Sequence, residues 1–124
     1  SVQKKRYCRS TDFLIVIQAI EGFWWRFRDG KYKQKNKIHN KERTSLKTII
    51  NELINEFESI KKVNDINLNI EAVVDSRNYY SHFVYESSKP EMVEGVDLLI
   101  LTKNLRILLT CCILNFIGIE NEKD

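Results

Sequence analysis

Three side chains within six positions have the types and spacing for chemistry: Arg77, Asn78 and His82. An arginine supplies a permanent charge and a planar fork of donors that matches phosphate oxygens. A histidine titrates near neutrality and both takes and gives protons. Together they suit cleavage of RNA by its own 2′-hydroxyl. His82 would deprotonate the 2′-hydroxyl or protonate the leaving 5′-oxygen, and Arg77 would stabilise the charge of the phosphorane-like transition state. Asn78 would orient the imidazole or bind a phosphate oxygen. A second histidine would help, and a homodimer would bring one from its twin. The structural alternative is a buried arginine–carboxylate pair with a partly exposed histidine beside it.

On a helix, with Arg77 at 0°, Asn78 lies at about 100° and His82 at about 140°. Ile70, Val74 and Ser81 fall within about 60° of Arg77, so the arginine projects from the edge of an apolar stripe. A guanidinium there is partly desolvated and needs an acceptor. Glu21, within an otherwise apolar segment, is the expected partner.

Other chemistries lack their residues. There is no Gly-rich phosphate loop, no HExxH and no GxSxG. With two histidines, three cysteines and no C-x-x-C spacing, neither a structural zinc nor a disulfide framework fits, so no metal and no cofactor is expected. A reduced, cytoplasmic setting follows. Cys111 and Cys112 fall in an apolar helix and are expected to be inert. His39, in a lysine-rich stretch, is expected to be merely solvated.

The positioning elements read as helices. Ser10 or Thr11 caps a first one, whose apolar residues recur at Phe13, Ile17, Ile20, Trp24 and Phe27, and Asp29-Gly30 ends it. Leu14, Ile15, Val16 and Trp25 make it apolar nearly all round, so it needs more than one neighbour. Trp24 is expected in the core and Trp25 in a more open position. Residues 30–43 show no periodicity and read as a flexible loop. Thr44 or Ser45 caps a second helix, with Leu46, Ile49, Ile50, Leu53, Ile54, Phe57 and Ile60 on one face and Lys61-Lys62 at its end. A third helix spans about Leu68 to about Phe83. Ser87-Ser88-Lys89-Pro90 breaks the chain. The fourth helix starts between Glu91 and Val96 and stops near Gly118. Leu98, Leu101, Leu105, Leu108, Cys112 and Ile119 form its core stripe, and Leu99, Leu109, Ile113 and Phe116 form a second face, expected to be an oligomer contact.

These elements predict an all-α, up-and-down bundle of four main helices in a single domain, residues 1–124. One Pro and four Gly are too few for a β-sandwich. Leu98–Ile119 is the most apolar run, but it carries Lys103, Arg106 and Asn115 and reads as a buried helix, so no membrane partner is expected. The chain begins with Ser and shows no signal peptide, and it is expected to be a piece of, or C-terminal to, a longer protein. Charge is lopsided. Residues 1–50 hold 13 Lys+Arg against 4 Asp+Glu, a net of +9, while residues 51–124 hold 7 against 13, a net of −6. The basic clusters are Lys4-Lys5-Arg6 with Arg9, and Lys31, Lys33, Lys35 and Lys37 with Lys41 and Arg43. They suit either a polyanion or plain solvation.

The arrangement resembles the HEPN superfamily, most closely its ApeA-like HEPN domains. The HEPN motif is Arg-x4-6-His with a polar second residue, and here it reads Arg77-Asn78-Tyr79-Tyr80-Ser81-His82. Ile17-Gln18-Ala19-Ile20-Glu21 resembles the first-helix segment of the ApeA-like group, Val73-Val74-Asp75-Ser76-Arg77-Asn78-Tyr79 its V-D-T/S-R-N-Y stretch, and Leu101–Leu109 its last helix. The likeness spans Asp12 to Gly118. It implies a helical bundle acting as a metal-independent endoribonuclease on RNA such as tRNA, with two motifs facing each other in a homodimer. It also implies a place at the C-terminus of prokaryotic anti-phage proteins, where RNA cleavage aborts infection. Carried over by position, Arg77, Asn78 and His82 are the catalytic candidates and Glu21 supports them. Tyr79 and Tyr80 are candidate substrate contacts, or packing residues at the dimer seam. The alternatives are a non-catalytic dimerisation or RNA-binding module, and the toxin of a toxin–antitoxin pair. Those toxins show His-x-Tyr after the motif; His82-Phe83-Val84-Tyr85 has Val in that place, and Tyr85 reads as a helix-end aromatic.

Overall fold

The computed structural model describes residues 10–39, 41–82 and 90–118. Among them the chain forms six helices and no strand: α1 (Ser10–Phe27), α2 (Asp29–Asn36), α3 (Leu46–Glu56), α4 (Lys61–Asp65), α5 (Ile70–His82) and α6 (Gly95–Phe116). Four of these are the expected main helices, and the fold is the expected all-α bundle. The Lys4-Lys5-Arg6 cluster, Phe83, Val84, Tyr85, Ser87 to Lys89 and Ile119 lie outside the described residues.

α1 sits at the centre. It packs on α6 and also touches α2, α3 and α5, as a helix apolar on most sides must. Phe13, Val16, Ile17, Ile20, Phe23 and Trp24 are buried. α6 buries Leu98, Leu101, Leu105, Leu108 and Cys112 against it, the stripe read from spacing. The second face of α6 stays open: Ile113 and Phe116 are exposed. With Ala19 and Gly22 of α1 they line an apolar groove of about 590 Å³. Burial pushes the Cys112 thiol up to about 12, aided by the nearby Glu56 charge, so it is protonated and inert near neutrality. Cys111 is raised by the same cause.

Two expectations need correction. Residues 30–43 are not a loop throughout, because α2 occupies Asp29–Asn36. It has no apolar stripe to announce it, and tertiary bonds hold it instead. Asp29 accepts hydrogen bonds from Trp24 Nε1 at 2.9 Å and Thr44 Oγ1 at 2.7 Å, and pairs with Lys33 at 3.2 Å. Tyr32 packs edge-on against Trp24. Asp29 therefore opens a helix, where its charge suits the N-terminal dipole, and does not simply end the previous one. Lys37 in the left-handed conformation (φ 57°) stops α2.

The second main helix is also shorter than read. α3 ends at Glu56, the chain turns at Phe57–Ile60, and Lys61 begins α4. Phe57 keeps the stripe and is buried, but the turn swings Val63 into the core on α6. Apolar spacing alone does not distinguish a continuous helix from one broken by a single hydrogen-bonded turn, here Ile60 N–H to the Phe57 carbonyl at 3.0 Å.

The Ser45 cap and the Gly118 stop fall where the sequence put them, while the cap of α5 falls on Asn69, which the sequence reading did not name. Ser45 accepts the Thr48 N–H at 3.2 Å and Asn69 accepts the Ala72 N–H at 3.1 Å, starting α3 and α5. Gly118, at φ +85°, donates to Asn115 beyond the end of α6, as a C-terminal stop requires.

Candidate functional site

The motif occupies the C-terminal half of α5. That helix buries three polar side chains, Asp75, Ser76 and Asn78. Two of them hold the segment before α6. Asp75 accepts the Glu91 N–H at 2.7 Å and Ser76 accepts the Val93 N–H at 3.1 Å. Sequence reasoning missed this strap. The available signal was a carboxylate and a hydroxyl in adjacent positions on a helix otherwise committed to the core.

Arg77 is partly buried, as its place beside the apolar stripe requires. Its Nη1 donates to Glu21 Oε2 at 3.2 Å, so the partner expected from α1 is the observed one. Its Nε donates to Asn78 Oδ1 at 3.3 Å. The fork is thereby held from two sides before any ligand arrives. Asn78 is 5% exposed and points inward. The structure thus puts it in contact with Arg77, whereas the sequence reading gave it to the imidazole or a phosphate. Because the arginine donor occupies Oδ1, the amide's NH₂ end is the one left over. That Nδ2 is buried with no hydrogen-bond partner among the described residues. An unpaired buried donor costs about 1–3 kcal/mol, so the position is not optimised for stability alone.

His82 is the last residue of α5 and is exposed. Arg77 opens onto a cleft of about 480 Å³ whose lining includes Glu21, Arg43, Lys47, Glu71 and Asp75 but not His82. Five residues along a helix turn a side chain by about 140° and advance it by about 7.5 Å. Arg77 and His82 of one copy therefore face different sides of α5.

The tyrosines are built into the fold. Tyr80 donates its hydroxyl to the Val93 carbonyl at 2.6 Å and sets its ring edge-on to Phe13. Tyr79 lies edge-on to Tyr80 at 5.4 Å. Trp24 is in the core as expected, and Trp25 is half-buried beneath the Arg43 guanidinium, 5.0 Å from its ring centre. His39 is exposed, with its Nδ1 accepting the Lys41 N–H at 3.1 Å. Among the described residues no group of three His, Cys, Asp or Glu side chains is placed to hold a metal ion, and no helix is long and apolar enough to cross a membrane.

No curated protein and no solved structure matches the chain. A family model does. Apea-like HEPN aligns with residues 14–123, which takes in Glu21, the whole of α5 with its arginine–histidine motif, and α6. A six-residue motif alone would be weak ground, but an all-helical bundle that carries it where the family model aligns over nearly the full chain is not: the chain belongs to the Apea-like HEPN family.

Proposed function

We propose that this chain is a HEPN-type endoribonuclease domain acting in prokaryotic anti-phage defence, in the cytoplasm, with Arg77 and His82 in a composite site made by two copies. The observation that carries the reading is the division of the motif. Arg77 is preorganised by Glu21 and Asn78 at the mouth of a cleft, while the imidazole on the same helix is exposed and faces elsewhere. In this reading a second copy completes the site, with the two α5 ends apposed and the exposed faces of α5 and α6 forming the seam.

The chemistry follows from what each group offers. Arg77 binds the scissile phosphate through the donors left free by Glu21 and Asn78, and its attraction strengthens as negative charge builds on the phosphorane oxygens. His82 takes the proton of the attacking 2′-hydroxyl, and the twin's His82 returns one to the leaving 5′-oxygen. The bond broken is the P–O5′ bond, the bond formed is P–O2′, and the products are a 2′,3′-cyclic phosphate and a 5′-hydroxyl. The step needs no metal, and Asn78 contributes by fixing Arg77.

The second reading keeps the bundle and drops catalysis, with Arg77 purely structural. Its support is the Arg77–Glu21 pair, already closed at 3.2 Å. Incubation of the chain with total tRNA in EDTA separates the two. Cleavage that both His82→Ala and Arg77→Ala abolish supports the nuclease. Intact RNA under every condition, or normal cleavage by His82→Ala, removes it. Light scattering tests the pair of copies, and a clean monomer at micromolar concentration counts against the composite site.

A further inference from the structure

The cleft that holds Arg77 carries two more cations, Arg43 and Lys47. Lys47 is engaged by Glu71 at 2.9 Å and Arg77 by Glu21 at 3.2 Å. The third carboxylate of the cleft, Asp75, is buried and accepts the Glu91 N–H. Arg43 is different. It is exposed, its guanidinium lies over the Trp25 ring, and among the described residues no carboxylate pairs with it. Stacking on an aromatic face leaves the in-plane N–H donors of a guanidinium free for an acceptor.

The backbone that carries Arg43 is tied on its C-terminal side. Thr44 donates to Asp29, which Trp24 and Lys33 also hold, and Ser45 caps α3. A buried carboxylate thus anchors the chain one residue from Arg43. The stretch that shows no periodicity in the sequence ends in a guanidinium with a set position.

We infer that Arg43 is an RNA-binding residue of the Arg77 cleft, gripping a backbone phosphate next to the one at Arg77, and that the Asp29 knot is what positions it. A fork of free donors fixed at the rim of a cleft matches a phosphodiester oxygen pair, and a second phosphate contact sets the register of a strand on the protein. The ligand's identity rests on the proposed nuclease reading, but the assignment has its own readout.

Fluorescence anisotropy with a single-stranded RNA in EDTA measures it, in a His82→Ala background so that the strand is not consumed. Arg43→Ala is expected to bind about five- to tenfold more weakly, with a salt slope shallower by about one phosphate contact. Lys37→Ala removes the same charge from the same stretch outside the cleft and is expected to stay within about twofold. Thr44→Val keeps Arg43 and loosens its support, and is expected to fall between them. Circular dichroism melts establish that the variants fold. No RNA binding by the parent, or equal losses for Arg43→Ala and Lys37→Ala, overturns the assignment. If Arg43→Ala alone weakens binding while the unmutated chain cuts no RNA, the nuclease reading fails and Arg43 stands. If cleavage depends on His82 while Arg43→Ala binds and cuts normally, Arg43 falls and the nuclease stands.

Discussion

Of the ion pairs in this small bundle, Asp29–Lys33 and Glu21–Arg77 are built in opposite ways. In the Asp29–Lys33 pair the lysine side chain is 4% exposed, and the carboxylate also takes hydrogen bonds from Trp24 and Thr44. In the Glu21–Arg77 pair the side chains are 18% and 28% exposed, one contact at 3.2 Å closes it, and the neighbouring Asn78 amide donor has no partner among the described residues. The first is saturated and sealed, so its groups have nothing left to offer a ligand. The second is half-open and under-satisfied on the rim of a cleft. Partial satisfaction at an accessible edge marks a polar group kept for a partner, and full satisfaction in the interior marks one kept for the fold.

The largest effect should come from the open region. His82→Ala is expected to cut RNA cleavage by about two to four orders of magnitude while leaving the melting temperature within a degree or two, because His82 is exposed at a helix end. A large drop in melting temperature would make His82 structural and erase the contrast. Arg77→Lys keeps the charge but loses the fork, and is expected to lose about a hundredfold in rate. Near-normal activity in that variant would mean that bidentate binding is unimportant.

The sealed region should answer in stability. Asp29→Ala strands the buried Lys33 ammonium and is expected to cost about 3–5 kcal/mol by urea denaturation, enough to threaten the fold. A cost under about 1 kcal/mol would show that α2 is not held by this knot. Acid sharpens the point. Burial works to raise the Asp29 carboxyl, but the hydrogen bonds from Thr44, Trp24 and Lys33 and the Lys33 charge together hold it below its usual value. A depressed folded value means stabilisation that is present above the unfolded carboxyl range and lost as pH falls through the folded one. Asp29→Asn should therefore flatten the acid limb of the stability profile below about pH 4. An unchanged limb would assign that acid sensitivity to other carboxylates.

The smallest effects lie between and outside these regions. Ser45→Ala removes the α3 cap and is expected to cost about 1 kcal/mol. Lys61→Ala breaks an exposed pair with Asp65 and should stay within about 0.5 kcal/mol. If the two were equal, capping would not be what fixes the Arg43–Leu46 corner.

Much of the bundle was legible in advance because helix periodicity is local. Phe13, Ile17, Ile20 and Trp24 on α1, and Leu98, Leu101, Leu105, Leu108 and Cys112 on α6, are buried where their spacing put them. The Glu21–Arg77 pair was legible too, because a lone carboxylate and a lone guanidinium on apolar helices have few other ways to be satisfied. α2 was not. Its eight residues are polar, and what makes them helical is a carboxylate reaching a tryptophan before it and a threonine fifteen residues after it.

The sequence by itself determined which helices form the core, the family likeness, and the arginine–histidine pair, since each depends on residue type and short-range spacing. Only the tertiary structure decided that Asn78 turns inward to hold Arg77, that Asp75 and Ser76 strap down residues 91–93, that Lys33 is buried, and that Arg43 lies over Trp25 with no carboxylate partner among the described residues. Those outcomes depend on which distant groups meet in space. A polar side chain's partner is chosen by the whole packing and not by its neighbours in the chain.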